Sequence, residues 1–166
     1  MEITKHQVGI TECVPSSALF MSFDMREQSQ VEFGLKILQK FVDGKSIVAG
    51  FGKNLLEMFD IQQDENFQRA KFDSDRMSDA DGYDLVLWLR GDDKGEIFHQ
   101  AINIRKALQD FFEFKKVVTS FTYRKKYDLA GFEDGIENPK DEALMPATIV
   151  NACATEGSSF WVLQQW

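Results

Sequence analysis

Residues Asp84 to Gly91 read DLVLWLRG, and no other stretch of the 166-residue chain constrains its fold as much. Successive side chains of a strand point to opposite faces. Leu85, Leu87 and Leu89 therefore face one way and Val86 and Trp88 the other, so both faces are apolar. Such a strand sits in the middle of a sheet and needs cover on two sides.

The flanking segments supply the rest of a sheet and one helical layer. ALFMSFDM (Ala18 to Met25) puts Leu19, Met21, Phe23 and Met25 on one side at period two, which predicts a first strand. SQVEFGLKILQKFVDG follows, with Ser29 and Glu32 at capping-box spacing and Val31, Leu35, Leu38 and Val42 on one helical stripe before Gly44. Ser46 to Gly52 is a short apolar run between turn formers, hence a second strand, and NLLEMF after it forms a brief helical turn. Asp60 to Asp84 is acidic and polar and reads as a long loop. Past the central strand, Asp93 and Glu96 repeat the capping spacing, and Ile97, Ala101, Ile104, Leu108 and Phe111 mark a second long helix within GEIFHQAINIRKALQDFFEF. Lys116 to Lys126 is β-branched and aromatic, and Ser158 to Trp166 closes the chain as another extended run.

The order is β-α-β-β-α-β with an appended strand, the split pattern of a ferredoxin-like α+β sandwich. Two helices cover one face of a four-stranded antiparallel sheet. The two-sided Leu85 to Leu89 strand then requires something else on the other face, either a second copy of the chain or further sequence.

Composition narrows the function classes. The length and a hydrophobic fraction of 43% suit one domain with a real core, to which fifteen phenylalanines and three tryptophans contribute large apolar area. A net charge of -8 argues against nucleic acid or an anionic membrane as partner, because both call for a dense Lys/Arg face. Cys13 and Cys153 form no CxxC pair, so neither a disulfide framework nor a zinc site is indicated. The opening MEITKHQVGI lacks a signal-peptide core, and no window approaches ~18 continuous apolar residues, so a reduced, cytoplasmic protein is expected.

Several constellations have structural readings that outweigh the chemical ones. GFGKN (Gly50 to Asn54) lacks the third glycine of a dinucleotide fingerprint and the GK[ST] of a P-loop, leaving a strand-end turn. DADGYD (Asp79 to Asp84) lacks the first acidic position and the distal Glu of a calcium loop. His99 shares the polar side of its helix with Asn103, Lys106 and Asp110, and His6 lies in a terminal segment expected to be untethered.

YDLAGFEDGIENPK (Tyr127 to Lys140) is different. Gly131 and Gly135 allow positive φ or close approach of another surface, and Asn138-Pro139 makes a turn, so Asp134 is held on a tight bend. On these residues alone the alternative is a structural loop whose Asp caps its own backbone.

GFEDG fits the GxxDG signature of the dye-decolorising (DyP-type) peroxidases, and the wider YDLAGFEDGIENP resembles that family's pattern. There the motif follows the fourth strand and runs into a Gly-Ser-aromatic strand, to which GSSFWVLQQW (Gly157 to Trp166) is similar. AGFGKN and YDLVLWLRG also sit where family members have comparable segments. Members are heme b enzymes of two ferredoxin-like halves that reduce hydrogen peroxide while oxidising dyes, porphyrins or other bulky organic reductants.

The resemblance implies that Asp134 is the distal acid, taking a proton from peroxide and returning it to the departing oxygen. A free Asp, with pKa ~3.9, is a feeble base; acidification of the peroxide and desolvation of the carboxylate narrow the gap. It also implies that Gly131 and Gly135 let the loop lie against the porphyrin, with Ile136, Glu137 and Asn138 at its edge. The family's proximal His and distal Arg come from its second half, so residues 1–166 are expected to be a single ferredoxin-like domain matching the first half. Activity then needs the missing C-terminal half or a partner copy. The alternative reading is a non-catalytic ferredoxin-like module that dimerises through its open sheet face.

Overall fold

The computed structural model describes residues 6–61, 82–124, 127–133, 135–151 and 155–163. Its elements are β1 (Ser17–Met25), α1 (Gln28–Leu38), β2 (Ile47–Phe51), α2 (Lys53–Met58), β3 (Leu85–Gly91), α3 (Lys94–Leu108), β4 (Phe112–Phe121) and α4 (Leu144–Thr148), with 3-10 turns at Val8–Ile10 and Asp141–Ala143. The strands form one antiparallel sheet in the order β2-β3-β1-β4, an α+β ferredoxin-like arrangement. β3 is central, as its two apolar faces require. Its Leu87 sits opposite Met21 of β1 and Ala49 of β2.

Leu85, Leu87 and Leu89 are wholly buried together with Leu19, Met21 and Phe23, and Val31 and Leu38 of α1 and Ile97, Ala101, Ile104 and Leu108 of α3 close over them. This is the helix-covered face, and its stripes are those the sequence predicts. Asp84 ties the strand ends together from just before β3: its carboxylate accepts the Met25 N–H at 2.8 Å and an Asn54 side-chain N–H at 3.0 Å.

Element ends depart from expectation in ways that have local causes. Glu27, without a side-chain bond, occupies the α1 cap position, so Ser29 lies inside the first turn. Glu32 accepts from Lys36 one turn on, at 2.7 Å, rather than closing a capping box. α1 stops at Leu38, and Asp43 makes the turn into β2, its Oδ1 accepting the backbone N–H groups of Lys45, Ser46 and Ile47 at 2.8 to 2.9 Å. Asp93 does cap α3, accepting from Gly95 and Glu96. α3 ends at Leu108, because Phe112 and Phe114 reach the same core better as alternate residues of β4; Phe114 meets Phe23 edge-on at 5.6 Å.

The other face of the sheet is less bare than expected, because the chain covers part of it. Ser158 to Leu163 do not form the appended strand; residues 164–166 lie outside the described residues. Instead Trp161 crosses to the sheet, 6.0 Å from Phe20 and 6.2 Å from Trp88, ring to ring. Its ring lies over Gly50, where a Cβ would stand 2.7 Å from it. The segment holding His6 is tethered as well. The Gln7 amide exchanges two hydrogen bonds with the backbone of Ala49, at 2.7 and 2.8 Å, and the Gly9 N–H donates to the Gly44 carbonyl. Arg90, nearly buried, donates to the carbonyls of Gly9 and Cys13 and stacks over Trp88. A side chain thus supplies to β2 the pairing that a fifth strand would otherwise give.

Candidate functional site

The loop from Tyr127 to Asn138 follows β4, which ends at Phe121. Bridges from Tyr127 to Tyr123 and to Glu133 fix its base. Asp128 organises the turn: its N–H donates to the Phe132 carbonyl, its Oδ1 accepts the Phe132 N–H, both at 2.9 Å, and its carbonyl accepts the Gly131 N–H at 3.1 Å. Asp128 thus caps its own turn, and Asp-x-x-Gly (Asp128 to Gly131) is the sequence signal for it.

Both predicted glycines adopt the conformation that favours them, with φ of +93° at Gly131 and +74° at Gly135. Around Gly131 a Cβ would meet nothing, so backbone conformation alone selects glycine there. At Gly135 a Cβ would also stand 2.9 Å from the Asn138 side-chain nitrogen. The Asn138 N–H donates to the Gly135 carbonyl at 3.3 Å, closing the turn before Pro139. Asp134 itself lies outside the described residues.

The two reversals turn apolar side chains outward. Leu129 is 76% exposed, Phe132 74% and Ile136 58%, with Glu137 and Asn138 beside them in solvent. Three large apolar groups within eight positions, each able to gain ~1.5–3 kcal/mol on burial, make a surface suited to a flat apolar group or another protein face. Beyond the loop, Ile149 is buried, the Ser159 hydroxyl donates to the Thr148 carbonyl, and the chain runs on to Trp161.

Metal and proton chemistry find little else among the described residues. No group of three or more His, Cys, Asp or Glu could hold a metal ion there. His99 is exposed on α3 and His6 lies beside Thr11. An open cleft of about 510 Å³ is lined by Cys13, Ser16, Lys45, Arg90, Asp92 and Thr122. Burial lowers the Arg90 pKa from its ordinary value, with Glu12 and Cys13 opposing that shift, and the guanidinium already serves two carbonyls. Asp92 is held low by the N–H and side chain of Ser16. Arg90 and Asp92 thus hold backbone groups at the strand ends, and Lys45 pairs with Glu12 at 2.9 Å. DADGYD lies outside the described residues up to Asp81, as does Cys153. No described helix is long and apolar enough to cross a membrane.

No protein-family model matches the sequence, and no curated protein does. Solved structures do match. A DyP-type peroxidase from Cellulomonas bogoriensis aligns over 82% of this chain and 48% of its own, with a TM-score of 0.69 at 20% identity. A dye-decolorizing peroxidase from Bacteroides thetaiotaomicron aligns over 81% of this chain and 49% of its own, at 0.65 and 15%. A DypB variant from Rhodococcus jostii, solved in complex with heme, aligns over 78% and 47%, at 0.54 and 20%. The chain has the fold of these peroxidases over about half their length.

Proposed function

We propose that this chain is the first half of a DyP-type heme peroxidase, a single ferredoxin-like domain that contributes the distal carboxylate and one wall of the heme site. The observation that carries the reading is the loop: GFEDG, with both glycines at positive φ and three apolar side chains facing out, on a fold shared with halves of such enzymes.

The described residues fit one side of a porphyrin. Exposed Leu129, Phe132 and Ile136 would offer a porphyrin apolar contact and exclude water, Gly131 and Gly135 would let it approach the backbone closely, and exposed Glu137 and Asn138 would hold its polar edge. Heme b supplies the redox chemistry with hydrogen peroxide. Asp134 holds and moves the proton, accepting it from hydrogen peroxide and delivering it to the oxygen that leaves as water; a dry site raises its basicity. The proximal His and the distal Arg come from a second half, which docks as a further part of the protein or as a partner chain. That docking is supported by the exposed apolar side chains of Leu129, Phe132 and Ile136, which gain by burial. Electrons come from a bulky organic reductant. The protein works in the cytoplasm, where Cys13 stays reduced, and assembles into homo-oligomers. Trp161 covers part of the face through which a purely structural dimer would form, which disfavours the non-catalytic alternative.

Asp134→Asn in the assembled enzyme tests the assignment. Heme content stays at the wild-type level while peroxide turnover falls by about two orders of magnitude or more, as expected when a general acid-base group is removed. Turnover near the wild-type rate would overturn the role given to Asp134.

A further inference from the structure

An exposed apolar surface outside the loop lies between α3 and β4. Helical spacing puts Lys94, Phe98, Ile102 and Arg105 on one flank of α3. That flank borders β4, because Lys94 lies over the Phe121 ring at 5.9 Å and Arg105 over the Phe114 ring at 4.4 Å. Between the two cations Phe98 is 56% exposed and Phe121 60%, with Ile102 and Val117 half in solvent. The result is an apolar shelf with a positive charge at each end, on a chain of net charge -8.

β4 borders the shelf and is an edge strand. Among the described residues it pairs with β1 alone along its ten-residue length. Every second residue of such a strand directs its N–H and C=O away from the sheet. The opposite edge, β2, is closed by Gln7. One edge is sealed by the chain itself, and the other opens onto an apolar, cationic shelf.

We propose that the β4 edge and the α3 shelf dock an extended acidic segment of another protein, which adds as a fifth strand. Its backbone pairs with β4, and the side chains on its helix-facing side are apolar in the middle, covering Phe98, Val117 and Phe121, and acidic at the two ends, where carboxylates approach Lys94 and Arg105. A second copy of this chain is a poor occupant. A two-fold contact brings each patch against itself, so the cations at its two ends meet cations. The proposal is independent of the peroxidase reading and survives its failure.

The probe is a fluorescein-labelled ten-residue peptide with glutamate at positions 1 and 9, leucine at 3, 5 and 7 and threonine elsewhere, so that glutamates and leucines share one face, titrated with the full chain and read by anisotropy. The expected result is saturable binding, with amide-exchange protection gained within residues 112–121. Phe98→Ser and Lys94→Glu each weaken it about tenfold or more. Neither variant threatens the fold, since Phe98 is largely exposed and an acid suits a helix N-terminus. The proposal is overturned by no saturation at about 1 mM, by equal binding of the peptide with lysine in place of both glutamates, or by protection gained only outside β4. It is also overturned by a dimer in light scattering that Phe98→Ser converts to monomer.

Discussion

Asp43 and Asp128 do what the structural alternative for Asp134 describes: each folds a carboxylate back onto nearby backbone N–H groups. At Asp43 burial opposes ionisation, but the N–H groups of Ile47, Lys45 and Ser46 outweigh it and hold the carboxyl below its ordinary value. A carboxyl so lowered adds stability at neutral pH. That contribution lasts down to the unfolded-state pKa, ~3.9, and fades as pH falls on through the folded value. Asp43→Ala should therefore lower the urea-unfolding stability by about 1 kcal/mol at pH 7, and the gap to wild type should shrink below about pH 3.5. An equal gap at pH 3 would show that the carboxylate's charge is not involved. Gly131 and Gly135 were legible as hinges because only glycine takes positive φ cheaply. The partners of a particular Asp were not legible, because Asp-Gly and Asp-x-x-Gly turns look alike until the backbone is in place.

Strands and helices were legible where the apolar period was unambiguous. β1, β3 and the stripe of α3 follow from alternation and from 3.6-residue spacing, and both apolar faces of β3 announced its central place. The FFEF run was not legible in the same way. Phe111, Phe112 and Phe114 satisfy a helix pattern nearly as well as a strand pattern, and only the position of the sheet decides for β4. Trp161 is the clearest case of tertiary choice over local propensity: GSSFWVLQQW has strand composition, yet its indole serves as a cover over Gly50 and Trp88. Gly50→Val should expel that ring, since even a Cβ at this position would stand 2.7 Å from it. Tryptophan emission should shift to the red in Gly50→Val, and a Trp161→Phe background should abolish most of the shift. An unchanged spectrum would mean that the ring does not rest on β2.

The molecule as described presents a sheet with one face packed by helices, the other partly covered, and a glycine-hinged loop that turns apolar side chains into solvent. Each of these exposed groups gains by burial, and the solved structures that share the fold are about twice as long as the part they share. A half that contributes one wall and the distal carboxylate, and takes its iron ligand from elsewhere, accounts for both facts. Titration of the purified chain with hemin, followed by absorbance, tests this most directly. The account predicts a saturable Soret band that His6→Ala and His99→Ala leave unchanged, because the loop surface and not an imidazole of this chain holds the porphyrin. No saturable band, or a band lost with either histidine, would contradict it.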